Sequence, residues 1–282
     1  MMQFTGRSSG HLYPRTMNLD DLHLIQFTDP HLFGDEAGTL RGIATLPALH
    51  GALDHARANG PWPVHAILAT GDLVQDDPRG YARFRQVFQD LDTPVYCLPG
   101  NHDDTEALAR ELRQPPFVPG GAVDLGDWRI VLLDTTVPGK AAGHLGEGQL
   151  AALESALGTA GDRHALVCMH HHPVPMGSAW LDQLALDNAD RFFRLLDRHR
   201  NVRAVCWGHV HQEFEGRRNG VRLFGTPATC AQFLPHAADF GIDPLRPGGY
   251  RRLTLRPDGS VDSHVSWVDT AALPHPVSSS AA

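Results

Sequence analysis

Six short apolar runs occupy the first three-quarters of the chain: LHLIQFT (22–28), VHAILAT (64–70), PVYCLP (94–99), RIVLLD (129–134), HALVCMH (164–170) and VRAVCW (202–207). They are rich in Val, Ile and Leu and lack a strict polar alternation, which predicts strands covered on both faces. Helical periodicity fills most of the intervals, over 44–59, 79–92, 147–158 and 188–200. Three further runs, VRLFGT (221–226), YRRLTL (250–255) and SHVSWV (263–268), follow without long helices between them. Strand–helix alternation predicts an α/β layered domain with a more antiparallel C-terminal portion. RPDGS (256–260) reads as a hairpin turn, and PLRPGGY (244–250) as a turn within the domain. No Pro/Ser-rich linker interrupts the pattern, so one domain is expected over 21–269. Residues 1–20 then form a frayed extension and 270–282 a flexible tail.

The polar residues that follow these runs change the picture. After the first come Asp29 and His31; after the second, Gly71 and Asp72; after the third, Gly100, Asn101, His102 and Asp103. The fifth ends at HHH (170–172), and the sixth is followed by GHVH, with His209 and His211. In α/β sheets a site lies outside the carboxyl ends of the strands. Five runs delivering ligand-type residues at that same end predict a shared site. GD or NH alone is a common turn former; the five blocks in this order are not explained by turns. If 209–211 continues a strand, His209 and His211 face one point, because residues i and i+2 share a side. Two Asp, one Asn and four His without a thiolate suit Mn, Fe, Co or Zn, and fit soft copper or an iron–sulfur cluster poorly. Seven ligands exceed one tetrahedral ion and match two ions sharing a carboxylate, an arrangement that clamps a phosphoryl displacement.

Composition narrows the partners. The chain has 282 residues, a formal net charge of −8, and 42% hydrophobic and 20% charged residues. With no basic run, nucleic-acid binding by counterion release is not expected. No apolar stretch is long enough to span a membrane, and MMQFTGRSSGHLYPRTM lacks the apolar core of a secretory signal. Met17 is an alternative start. Cys97, Cys168, Cys206 and Cys230 are scattered, mostly within apolar runs, and read as buried free thiols of a cytoplasmic protein.

The order D-x-H, G-D, G-N-H-D, H, G-H-x-H resembles the calcineurin-like metallophosphoesterases. LVCMHHHPVPMGSAWLDQLALDN (166–188), GHVHQEF and TPATCAQFLPHA (226–237) resemble, more closely, the bacterial class III 3′,5′-cyclic-AMP phosphodiesterases. The similarity runs from about residue 22 to about 268 and leaves out the N-terminal extension. It implies a metallophosphoesterase-type αββα sandwich, two mixed sheets flanked by helices, with two divalent ions. Iron and manganese are the first expectation, zinc or cobalt the second. One ion is implied at Asp29, His31, Asp72 and His211, the other at Asp72, Asn101, His170 and His209, with Asp72 bridging. Within the 170–172 run His170 is the implied ligand; strand alternation makes His172 the runner-up.

The implied reaction is hydrolysis of 3′,5′-cyclic AMP to 5′-AMP by in-line attack of a metal-bridging hydroxide. His102 would donate a proton to the leaving 3′-oxygen or contact the phosphate, with Asp103 orienting a site group. Asn101, His171, Trp180 and Thr229 are expected on the substrate side, with Phe233, His236, Thr226 and Gln232 as further contacts. Trp180 offers a stacking face for the base. The alternative within the same chemistry is a broad phosphodiesterase acting on glycerophosphodiesters, 2′,3′-cyclic nucleotides or aryl diesters. A non-catalytic scaffold of the same fold would have lost ligands, and none is missing here. A small-molecule substrate, no nucleic acid, no membrane, and a monomer or weak homodimer complete the expectation.

Overall fold

The computed structural model describes residues 21–268, so the expected extension (1–20) and tail (270–282) lie outside the described residues. In chain order the first half consists of β1 (Leu22–Phe27), the ribbon β2 (Thr39–Leu40) and β3 (Ile43–Ala44), α1 (Thr45–Ala58), β4 (Ala66–Thr70), α2 (Gly80–Phe88), β5 (Val95–Leu98), α3 (Thr105–Glu111) and β6 (Phe117–Pro119). The second half continues with β7 (Gly121–Leu125), β8 (Trp128–Leu132), α4 (Glu147–Gly158), β9 (His164–Met169), α5 (Ala179–Asp182), α6 (Ala189–Leu196) and β10 (Val202–Trp207). It closes with β11 (Phe214–Arg218), β12 (Val221–Gly225), β13 (Gly248–Leu255) and β14 (Val261–Val268).

Two six-stranded mixed sheets result, in the orders β14-β13-β1-β4-β5-β6 and β11-β12-β10-β9-β8-β7. Each has a parallel centre. β1, β4, β5 and β6 run parallel in the first sheet, and β8, β9, β10 and β12 in the second. Antiparallel strands lie at β13 and β14 in the first sheet and at β7 and β11 in the second.

The continuous apolar runs have a direct cause: each central strand feeds two cores. Leu22, Leu24, Ala66 and Leu68 meet Leu166, Cys168, Ala204 and Cys206 between the sheets. The alternate residues Ile25, Phe27, Ile67 and Ala69 face outward onto a core shared with α1 and α2, through Leu49, Leu53, Phe84 and Phe88. Val167, Met169, Val205 and Trp207 do the same under α4 and α6, through Leu153, Leu157, Phe192 and Leu196. Helices therefore cover both outer faces of the paired sheets, the αββα architecture expected from the sequence. All four cysteines are buried free thiols.

One turn is placed differently. PLRPGGY reads as a turn leading into the YRRLTL run, yet Gly248 and Gly249 already belong to β13. A Cβ at Gly248 would lie 2.2 Å from the Thr229 carbonyl oxygen, so the glycine admits the 226–230 segment against the strand instead of breaking it. The RPDGS turn is as expected: it joins the antiparallel pair β13 and β14, and Arg256 N–H donates to the Ser260 carbonyl at 3.0 Å.

Candidate metal centre

The loops after β1, β4, β5, β9 and β10 meet at one end of the sandwich. Asp29 N–H donates to Gly71 O (3.1 Å) and His31 N–H to Asp72 O (2.9 Å), which ties the first two loops together. Side chains tie in the others: Asp72 Oδ1 accepts from the His102 N–H (2.9 Å), and Asp29 Oδ1 and Oδ2 from the His209 N–H (3.1 and 3.0 Å). Asp29, His31, Asp72, His209 and His211 all adopt left-handed backbone, with φ of 51, 48, 49, 65 and 47°. Each such non-glycine residue is strained by roughly 1 kcal/mol or more, and strain of this kind gathers where function demands it.

This backbone alters the expected pairing of His209 and His211. β10 ends at Trp207, so the two histidines leave the strand and their rings part. His211 joins Asp29 and His31: its Nε2 lies 3.1 Å from His31 Nε2 and 3.4 Å from Asp29 Oδ1. His209 joins His170 and His171, with ring centroids 5.0 and 4.7 Å away. Asp72 stands between the halves, its Oδ2 3.3 Å from His170 Nε2 and 3.8 Å from His31 Nε2. Asn101 reaches the second half, with Oδ1 3.3 Å from His170 Nε2. Gly208 is what lets the sixth loop approach, because a Cβ there would lie 2.0 Å from Thr28 Oγ1 and 2.7 Å from Asp29 Oδ2.

Alternation also stops at the end of β9, at Met169, and His172 stacks on His209 (centroids 5.7 Å apart) without joining a ligand group. It is buried, its Nε2 3.9 Å from Asp182 Oδ1, whereas His171 lies within ligand reach of His170 and His209. The runner-up chosen by strand alternation is thus replaced geometrically by its neighbour.

The rings are held from behind. His170 Nδ1 bonds the Thr70 carbonyl (2.9 Å), His211 Nδ1 the Ala231 carbonyl (2.6 Å), and Thr28 Oγ1 donates to Asp29 Oδ2 (2.6 Å). A histidine whose Nδ1 is fixed this way presents Nε2 as the free ligand atom. Burial pushes His31 down to about 4 and His209 well below its ordinary value, so both are neutral imidazoles at neutral pH. Burial also opposes charge on Asp72, but the adjacent His170 outweighs it and holds the carboxyl well below the usual range. Reciprocally, the Asp72 charge overcomes burial and lifts His170 to about 9. A cation entering here displaces that proton.

The residues fit a metal. His31 Nδ1, His171 Nε2 and His209 Nε2 are buried polar atoms with no hydrogen-bond partner among the described residues. A pair of facing imidazole nitrogens cannot satisfy each other when both offer lone pairs. Oxygen and imidazole donors in two overlapping groups suit two borderline-hard divalent ions.

A 210 Å³ cavity opens above this floor, lined by His31, Asp72, Asn101, His102, His209 and His211 on one side. Trp180, Phe233, Phe240, Leu40 and Arg41 form part of the other wall. A larger groove of 630 Å³ between α4 and α6 is walled by Glu147, Glu154, Arg191 and Arg198; it holds no convergent chemistry, so size does not select the site. Trp180 and His102 both line the cavity. His171 and Thr229, expected on the substrate side, are completely buried and outside its lining: His171 is bonded through Nδ1 to Thr135 Oγ1 (2.7 Å), and the Thr229 N–H to Thr28 O (3.1 Å). Thr226 is buried against Gln26 Oε1 (2.7 Å), while Gln232 and His236 line an adjoining 230 Å³ pocket.

Asp103 braces the loops and does not line the cavity. Its carboxylate accepts from Gly100 N–H (2.8 Å), Leu73 N–H (3.1 Å), Val74 N–H (3.3 Å) and the Tyr81 hydroxyl (2.8 Å). Burial, then the Asp72 charge, raises it to about 7 against the pull of those donors. The group that orients His102 is Asp76, whose Oδ2 accepts from His102 Nδ1–H at 2.9 Å and is itself held by Gln75 Nε2 at 2.7 Å. Neither was singled out from the sequence; the only signal is their place in GDLVQD, immediately after the second ligand block.

Fold and site together define a metallophosphoesterase, and residues 22–213 match the calcineurin-like phosphoesterase family model. The chain belongs to that family and carries its buried His/Asp site for two metals. It is 40% identical over 247 residues to the 3′,5′-cyclic adenosine monophosphate phosphodiesterase CpdA of Pseudomonas aeruginosa, covering 87% of this chain and 90% of the relative. The CpdA of Haemophilus influenzae is 41% identical over 253 residues, covering 89% and 91%. For Escherichia coli K12 the figures are 38% over 246 residues, covering 86% and 89%. Among solved structures, a dimetal phosphatase from Danio rerio superposes with a TM-score of 0.58 at 13% identity, covering 88% of this chain and 99% of that one, which supports the fold. The chain is a metal-dependent phosphodiesterase. No helix among the described residues is long and apolar enough to cross a membrane.

Proposed function

We propose that this chain hydrolyses 3′,5′-cyclic AMP to 5′-AMP with two divalent ions, iron or manganese by preference. The observation that carries the reading is the cavity itself: a ligand floor for a phosphodiester beneath an aromatic wall that suits a base. The cyclic-AMP phosphodiesterase activity of relatives about 40% identical over nearly nine-tenths of the chain supports it.

Asp29, His31, Asp72 and His211 would hold one ion, and Asp72, Asn101, His170 and His209 the other. His171 stands next to the second group with an unpartnered Nε2. When bound, the ions supply an activated water and neutralise charge on the phosphate. The protein's own part is positioning and proton transfer. Asp76 Oδ2 accepts from His102 Nδ1–H and is itself held by Gln75 Nε2 (2.7 Å), which leaves Nε2 as the nitrogen that faces the leaving 3′-oxygen; the imidazolium form, with a proton on each nitrogen, protonates it. Asp103 keeps the Asp72 and Asn101 loops in register through their backbone N–H groups.

The test is a substrate profile of Mn- or Fe-loaded protein on 3′,5′-cyclic AMP, 2′,3′-cyclic AMP and a glycerophosphodiester. Preference for the first supports the reading. Equal or better turnover of the others makes the chain a broad phosphodiesterase with the same centre.

A further inference from the structure

The ribbon β2–β3 turns at Arg41 and Gly42, both left-handed with φ of 51 and 85°. Two consecutive left-handed residues make the tight hairpin turn in which Asn-Gly or Gly-Gly is preferred at the tip. An arginine in the first position pays strain without a local benefit, and such breaches of local preference gather at functional sites. Its guanidinium makes no hydrogen bond or ion pair among the described residues. It stands 4.8 Å over the Phe240 ring, and both residues line the 210 Å³ cavity. Phe240 is 44% exposed, unusual for a large apolar side chain beside a polar floor.

Phe240 belongs to an aromatic trio. It meets Trp180 and Phe233 edge to face, with centroids 5.1 and 5.4 Å away, and Phe233 stacks flat on His211 at 3.9 Å. The trio therefore reaches from a metal-ligand ring to the hairpin tip. A diester anchored on the floor sends its remaining substituent toward this wall. The wall offers an apolar platform and one unpaired planar cation with a fork of donors, a combination that accepts a heteroaromatic ring carrying acceptor nitrogens.

We propose that Arg41, held over Phe240, is a specificity-determining contact for the purine base of a cyclic nucleotide, an inference that rests on the cyclic-nucleotide reading above. Arg41 stacks along or donates to the base, and Phe240, with Trp180 behind it, supplies the platform. The residue acts on the base and not on the phosphate. Diesters without a base therefore depend on it far less.

The experiment uses the full, metal-loaded chain. Wild type, Arg41→Ala, Arg41→Lys and Phe240→Ala are compared on 3′,5′-cyclic AMP and on a glycerophosphodiester, with metal content measured for each. All substituted side chains are exposed at a hairpin tip or the cavity wall, so the fold is retained. Arg41→Ala and Phe240→Ala are expected to raise the KM for cyclic AMP about tenfold with kcat within about twofold. The ratio of kcat/KM for cyclic AMP to that for the glycerophosphodiester falls by the same factor. Arg41→Lys recovers only part, because it keeps the charge and loses the planar fork. An unchanged cyclic-AMP KM, or an equal loss on both substrates, overturns the inference while wild-type turnover of cyclic AMP still upholds the function. Absence of wild-type turnover overturns the function itself, a distinct result.

Discussion

His31 and His211 aim their Nε2 atoms at each other across 3.1 Å, although they are 180 residues apart in sequence. His211 Nδ1 is engaged by the Ala231 carbonyl, so it carries the proton and its Nε2 is a lone pair. Without a cation this pair is satisfied only when His31 carries its proton on Nε2, which leaves His31 Nδ1, like the buried His209 Nε2, without a partner among the described residues. Chelation is therefore expected to lower the melting temperature and to leave the secondary structure in place. His211→Ala should reduce bound metal from about two ions per chain to about one. Elemental analysis and a thermal melt of the same samples check this; unchanged stoichiometry contradicts the ligand role.

His102 lines the cavity within ligand reach of His31 and Asp72, and its Nδ1 is anchored to Asp76. His102→Ala is expected to retain both metals and lose at least ~100-fold in kcat. Asp76→Ala, which frees the ring but spares the donor, should lose less. Steady-state kinetics with metal analysis separates the roles, and full rate in His102→Ala at full metal loading removes the donor assignment.

Acid should unfold the metal-free protein through its buried histidines. Burial depresses His31 and His172 to about 4, against an ordinary value of 6.5. Between those values the unfolded chain binds more protons than the folded one, so stability falls as pH drops from about 6.5 toward 4. Each ring contributes on the order of 3 kcal/mol to that loss. Denaturant melts of chelated protein at pH 7 and pH 5 should show it, and a midpoint that rises on acidification contradicts it.

Gly208 admits a close approach that no side chain tolerates. Gly208→Ala would drive a Cβ into Thr28 Oγ1 and Asp29 Oδ2, displacing a carboxylate from the first half of the centre. A fall in metal affinity of about 10–100-fold is expected, with little change in far-UV circular dichroism. Titration calorimetry with Mn²⁺ reads it directly, and wild-type affinity in the variant shows that the loop relaxes.

Arg251 is fully buried, yet its guanidinium bonds Glu215 Oε1 (2.9 Å), Gly225 O (2.8 Å) and Thr226 Oγ1 (3.1 Å). Thr226 continues to Gln26, and Gln26 to Thr70 Oγ1 at 2.8 Å, whose carbonyl holds His170. Truncating one member of a buried charged network leaves several groups unpaired, so Arg251→Ala should destabilise the fold by about 3–5 kcal/mol. Chemical denaturation checks it; a loss below about 1 kcal/mol means the network is solvated and dispensable.

The contrast between these residues explains what the sequence made legible. Asp29, His31, Asp72, Asn101, His170, His209 and His211 lie in contiguous blocks directly after buried strands, so local order alone placed them on one edge. The layered α/β order was readable for a related reason: residues such as Ile67 and Leu68 enter different cores, which requires apolar side chains on both faces, whereas the second sheet and the sandwich followed only from the family resemblance. Arg251 was not readable, because Arg-Arg in YRRLTL looks like a solvated face until β13 is seen beside the second sheet. Asp76 and Arg41 act through partners 26 and 199 positions away, His102 and Phe240, and no local pattern links them. His172 follows Met169, where β9 ends, so the side-to-side alternation of a strand no longer sets where its ring lies.

The most direct measurement is cyclic-AMP hydrolysis during titration of Mn²⁺ into metal-stripped protein, with products separated by chromatography. A rate that rises until about two equivalents per chain, with 5′-AMP as the product, is the predicted result. A plateau at one equivalent, a 3′-AMP product, or no hydrolysis at full loading contradicts a two-ion cyclic-AMP phosphodiesterase.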